Sequence, residues 1–157
     1  MNCEGESLVG VVNYPNWLIF TRPYTNESEC SRVIIYINIR LSSFCFSLQK
    51  DIIDYRDILL VLFFNNGNIF WLMNVYSNLS HSALKYLKDT EVDIHNLLVI
   101  TGDFNIWDNL WDLFFPHHSS ISNNLIIVAD SFNLNLLCPI NQVPTRYSDN
   151  SNDLMFL

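Results

Sequence analysis

Leu97-Leu98-Val99-Ile100-Thr101-Gly102-Asp103-Phe104-Asn105 is the stretch on which the reading of this chain turns. An apolar run ends on glycine, and a carboxylate and an amide follow one residue apart. That is the pattern of a buried strand whose tip presents polar groups to a ligand. Strand alternation directs Asp103 and Asn105 to one side and returns Phe104 to the core. A carboxylate beside an amide suits a metal-bound water and a phosphate oxygen held together. As a bare pattern, Gly-Asp-x-Asn also marks an ordinary Asx turn.

Working outward, the chain reads as strands first and then strands alternating with helices. Residues 8–12 and 16–21 are short apolar runs parted by the turn signal Tyr14-Pro15. Residues 32–39 are β-branched and unbroken, which predicts a central strand. Residues 58–64 form a second such run, and Asn65-Asn66-Gly67-Asn68 predicts a hairpin into residues 69–75. Residues 77–88 read as a helix with Ser80 as N-cap and Leu84 and Leu87 on one face. Residues 97–101 are the strand that carries the opening motif. Ile121, Leu125, Val128, Ala129 and Phe132 share one face of an amphipathic helix. Pro139 and Pro144 bracket an extended connection, and residues 154–157 begin another apolar strand. No repeat or linker divides residues 1–157, which read as one domain. Apolar strands close to both ends predict part of a larger one.

Composition narrows the function classes. The 157 residues are 50% hydrophobic with four tryptophans, enough for a real core. No apolar run approaches the roughly 20 residues that cross a bilayer, so no membrane partner is expected. The start, Met1-Asn2-Cys3-Glu4-Gly5-Glu6, lacks a signal peptide's basic and apolar regions, which predicts an intracellular protein, in nucleus or cytoplasm and not secreted. Cys3, Cys30, Cys45 and Cys138 are scattered without a CxxC pair and are expected as reduced, mostly buried thiols rather than zinc ligands. A net charge of −8 with eight Lys and Arg provides few cations for phosphate. Asp89, Glu91, Asp93, Asp103, Asp108 and Asp112 crowd around Gly102, where a divalent cation would reverse the local sign. For Asp89, Glu91 and Asp93 a solvated surface is the expectation.

Four places carry polar groups at predicted strand ends: Asp103 and Asn105; Asn74-Val75-Tyr76; Pro144-Thr145-Arg146; and Asp153. With the strands side by side, Tyr76, Asp103, Asn105 and Asp153 converge on one rim, where α/β folds bind ligands. The chemistry such a rim suggests is phosphodiester hydrolysis. Asp103 would orient or deprotonate a water. Asn105 and the Tyr76 hydroxyl would donate to phosphate oxygens. Mg²⁺ or Mn²⁺ would act as Lewis acid.

Gly102-Asp103-Phe104-Asn105 with Trp107 and Trp111-Asp112 resembles the signature of the endonuclease/exonuclease/phosphatase superfamily, closest to the apurinic-type endonuclease domain of non-LTR retrotransposons. The order continues in the helix around residues 121–132, in Pro144-Thr145-Arg146 and in Asn152-Asp153-Leu154-Met155-Phe156, and upstream in Asn74-Val75-Tyr76-Ser77. The resemblance implies a two-sheet α/β sandwich and divalent-metal-dependent cleavage of DNA. It implies that Asp103 activates the water and, with Asn105, adjoins the metal. It implies that Asn105 and Tyr76 contact the scissile phosphate and that Asp153 orients a catalytic histidine. Asn74, Thr145 and Arg146 would lie along the substrate.

The chain departs from that pattern in three respects. The family's Gln-Glu strand, source of the principal metal ligand, and its closing Ser-Asp-His segment have no counterpart here. Glu4 and Glu6 follow no apolar strand, and His117 and His118 precede Asp153 in what reads as a solvated loop. Residues 148–153 are compressed, with Asn152 where an aliphatic side chain is expected. The sandwich is therefore expected to be incomplete and catalysis impaired, because each such group commonly contributes about 10²–10⁴-fold. A non-catalytic relic or interaction module with the same fold is the competing expectation. An inositol phosphate or phospholipid head group is the alternative substrate.

Overall fold

The computed structural model describes residues 14–22, 32–41, 44–111 and 116–137, and the backbone of 153–156. Its organising element is the uninterrupted apolar strand β4 (Ile58–Asn65). Ile58 and Leu60 face one way, into a core shared with two helices. Leu59 and Val61 face the other way, into a core shared with a second sheet. A strand covered on both faces has no polar side to show, and so the sequence does not alternate there.

Five strands make the main sheet, in the order β3 (Cys45–Leu48), β4, β5 (Asn68–Tyr76), β6 (Leu97–Asp103) and β7 (Asp153–Phe156). All neighbours run antiparallel except β5 and β6, which are parallel and joined by helix α1 (Ser82–Asp89). The β4–β5 hairpin closes on Asn66 and Gly67, both at positive φ (49° and 85°), as a tight primed turn requires. Helix α2 (Ser120–Ser131) packs beside α1 on one face of the sheet, burying Leu125, Val128 and Ala129. On the other face lie β1 (Trp17–Phe20) and β2 (Ile35–Asn38), paired antiparallel, with Val33, Ile35 and Ile37 buried against Leu59 and Val61. The result is a sandwich of two sheets with helices outside the larger one.

Three expectations need correction. The run 32–39 is not a central strand: among the described residues β2 pairs with β1 alone. It ends at Asn38, whose side-chain oxygen accepts the Arg40 N–H (2.9 Å) as the chain enters a 3₁₀ turn. β-Branched content reported burial against the neighbouring sheet, not a place within it. Helix α1 begins at Ser82 rather than 77, and Ser80 is not its cap. The N-cap position is His81, left-handed at φ 53° and without a side-chain cap bond, while Asn78 Oδ1 reaches across to accept the Ser82 N–H (3.1 Å). Cys45, expected to be buried, is exposed on edge strand β3. The predicted strand at 8–12 and the segment holding Pro139 and Pro144 lie outside the described residues.

Candidate active site

The parallel step from β5 to β6 brings two strand ends to one rim. Tyr76, the last residue of β5, is the register partner of Asp103, the last residue of β6. Asp103 in turn stands opposite Asp153, the first residue of β7. Three of the four residues expected to converge thus occupy one row across three adjacent strands. Parallel partners project to the same side of a sheet. Met73, Val75 and Ile100 fill the helix-side core, and Tyr76 packs with the core between the sheets, so Tyr76 and Asp103 share the face turned toward β1 and β2.

Gly102 makes the row possible. At φ +149°, a Cβ there would lie 1.8 Å from the Val75 carbonyl oxygen, so no other residue lets β6 approach β5 this closely. Beyond Asp103 the strand alternation does not continue through Asn105, contrary to expectation. Asn105 adopts φ +50°, a conformation asparagine tolerates, and its N–H donates to Asp103 Oδ1 at 3.1 Å. The tetrapeptide is therefore an Asx turn in its geometry, with Asp103 at the rim end of β6. Phe104, fully buried, plugs the core beneath the turn. The turn is fastened to the end of β5 by two further bonds. The Ser77 N–H donates to the Asp103 carbonyl (2.8 Å), and Asn105 Nδ2 donates to the Ser77 carbonyl (2.7 Å). Asn74, two residues before Tyr76, donates from Nδ2 to the Ile34 carbonyl (3.1 Å) and so ties the large sheet to the approach of β2. Thr145, Arg146 and Asp112 lie outside the described residues, and of Asp153 only the backbone is described.

Groups that spacing did not reveal flank the row. The Asp57 carboxylate, fully buried, accepts from Arg32 Nε (2.8 Å) and Arg32 Nη2, with Arg56 Nε at 3.5 Å. The Arg32 guanidinium lies over the Tyr76 ring, 4.5 Å from its centroid, and the hydrogen bond to Asp57 raises its pKa. The Asp57 carbonyl accepts the Tyr76 N–H (2.9 Å). His81 is half-buried, with Nδ1 3.3 Å from Ser77 Oγ. Burial, and then the charge of Lys85, push its pKa down against a bond with the Phe104 backbone. No sequence spacing signals Arg32 and Asp57, because only the docking of the two sheets joins them.

Two acids of the predicted cluster have other work or none. Asp108 is fully buried at the start of α2. It accepts from the N–H groups of Leu110 (2.9 Å) and Ser119 (2.7 Å), from Ser122 Oγ and from His118 Nδ1. Burial alone would push its pKa up, but these bonds, Ser122's foremost, outweigh that and hold it at about 2. His118 lies exposed in the loop before α2, as expected, and there bonds to Asp108 and Asn123; the Asp108 bond raises its pKa. Asp93 is exposed and pairs only with His95 (3.1 Å) among the described residues.

A hard divalent cation binds oxygen and commonly takes one or two protein carboxylates together with phosphate and water. An aspartate at 103 opposite an aspartate at 153 fits that donor chemistry. Among the described residues no three His, Cys, Asp or Glu gather into a closed cage.

No family model matches the chain, and no curated protein matches it in sequence. Among solved structures it is similar to "Endonuclease domain of TRAS1, a telomere-specific non-LTR retrotransposon", with a TM-score of 0.66 and 14% identity. The match covers 91% of this chain, which spans 65% of the length of that one. The chain thus has the fold of that endonuclease domain, the two-sheet α/β sandwich that the Gly102-Asp103-Phe104-Asn105 segment implied.

Proposed function

We propose that this chain is an endonuclease-type phosphodiesterase module that acts on the nucleic-acid backbone, DNA above all, with Mg²⁺ or Mn²⁺. The observation that carries this reading is the row Tyr76–Asp103–Asp153 at the end of β5, β6 and β7, beside a turn fixed by Asn105. Asp103 orients a water and takes up its proton. Asn105 and the Tyr76 hydroxyl donate to the non-bridging phosphate oxygens as negative charge builds on them. Asp103, with Asp153 opposite it and Asn105 beside it, would hold the cation. When bound, that cation neutralises charge on the phosphate. Asn74, Thr145 and Arg146 would line the path of the strand. Arg32, paired with the buried Asp57, is the cation that the structure sets against Tyr76, its guanidinium over the ring.

The test is nicking of supercoiled plasmid in Mg²⁺ or Mn²⁺ by the whole chain and by Asp103→Ala. The substitution is expected to lower the initial rate by about 10²–10⁴-fold. Equal nicking by both proteins, or none by either, hands the fold to the non-catalytic reading.

A further inference from the structure

Asp57 is fully buried, and its carboxylate is paired there with Arg32. A buried ion pair is a poor source of net stability, since desolvation consumes most of the attraction. What this pair does geometrically is specific. Both Asp57 carboxylate oxygens engage Arg32, through Nε and Nη2, which fixes the plane of the guanidinium. That plane lies 4.5 Å from the centre of the Tyr76 ring. The same Asp57 receives the Tyr76 backbone N–H (2.9 Å). One residue thus holds Tyr76 twice, by its backbone directly and by its ring through Arg32. The ladder sets the Tyr76 Cα and the core between the sheets packs against its side chain, which leaves the tilt of the ring to be restrained. A cation on the electron-rich face of the ring provides that restraint with a preferred distance and tilt.

We propose that Arg32, oriented by Asp57, is a positioning residue that fixes the Tyr76 phenol in the row with Asp103. The proposal rests on the phosphodiesterase reading for its consequence in catalysis, not for the geometry it asserts. Arg32 acts through the planar guanidinium: lysine at 32 keeps the charge beside Asp57 and loses the flat, two-bonded plate.

The experiment has two arms on the full chain. In the first, tyrosines are replaced by 3-fluorotyrosine and the Tyr76 ¹⁹F signal is assigned with Tyr76→Phe. In Arg32→Gln and in Arg32→Lys that signal is expected to move toward the position of free fluorotyrosine, the lysine variant guarding against loss of fold. A Tyr76 signal unmoved in a folded Arg32→Lys protein overturns the proposal, whatever the activity. In the second arm, Arg32→Lys is expected to lower the nicking kcat by about 10- to 100-fold, as small misplacements of reacting groups do, with KM little changed. It is expected to add no further loss in a Tyr76→Phe background. Full additivity of the two losses overturns the proposal while leaving the phosphodiesterase reading intact. Nicking that is indifferent to Asp103→Ala overturns that reading while the ¹⁹F arm still decides the positioning.

Discussion

Gly102 and Gly67 separate two demands that sequence writes with the same letter. Gly67 sits at a hairpin tip at φ +85° with open space where a Cβ would go. Alanine there is expected to cost only the left-handed penalty, about 1 kcal/mol. Gly102 carries a positive φ and a collision with the Val75 carbonyl, so Gly102→Ala must part β5 from β6. Urea unfolding is expected to show a loss of about 3 kcal/mol or more for it, in the range reserved for backbone strain and broken packing. Equal costs at the two glycines would mean that the strand contact is softer than the geometry states. At this scale the sequence was informative where a residue's chemistry is local. Gly102, Asp103 and Asn105 announced a polar strand tip, although alternation misjudged Asn105, which leaves the strand through a left-handed turn. Arg32 and Asp57, 25 residues apart, were silent because nothing local links them.

Elements show the same division. The β4–β5 hairpin was legible from Asn66-Gly67, and the buried face of α2 from the spacing of Leu125, Val128 and Ala129, because turn chemistry and periodicity are encoded within a few residues. The start of α1 was misplaced because its capping oxygen comes from Asn78, outside the helix. Helix α2 carries the more consequential device, Ser119 as N-cap with Asp108 beneath it. The Asp108 pKa, lowered from 3.8 to about 2, gives stability that is whole above pH 3.8 and lost as pH falls toward 2. A shift of that size corresponds to about 2 kcal/mol. The sign for His118 is opposite: its pKa is raised above 6.5, so its contribution is whole below pH 6.5 and lost as pH rises through the folded-state value. Thermal melts of the chain are therefore expected to show greatest α2 anchoring between about pH 4 and 6.5. His118→Gln should flatten the alkaline limb and spare the acid one, and Asp108→Asn should remove both. An alkaline limb unchanged in His118→Gln would refute the pairing.

At the scale of the whole molecule, β4 is the seam between two cores, and its neighbouring leucines report on them separately. Leu59→Ala opens the contact between the sheets, and Leu60→Ala opens the contact with the helices; each is expected to cost about 2–5 kcal/mol. Hydrogen exchange should quicken first in β1 and β2 for the former and in α1 and α2 for the latter. Exchange that quickens identically in both variants would deny the layered division. That layering leaves the ends of β5, β6 and β7 together at one rim, with Asp89, Glu91 and Asp93 away from the row as exposed carboxylates. The β4–β5 hairpin and the polar strand ends were legible from short motifs, whereas the docking of β2 outside the main sheet was not, since hydrophobicity does not say which sheet a strand joins. The claim that the row is a cation-binding phosphodiester site is tested most directly by titrating the ¹⁵N-labelled chain with Mn²⁺. Selective broadening of the Tyr76, Asp103 and Asp153 amides, with Gly67 at the far hairpin tip unaffected and the effect absent in Asp103→Ala, is the predicted result. Broadening centred instead on Asp89, Glu91 and Asp93, or none at all, would contradict it.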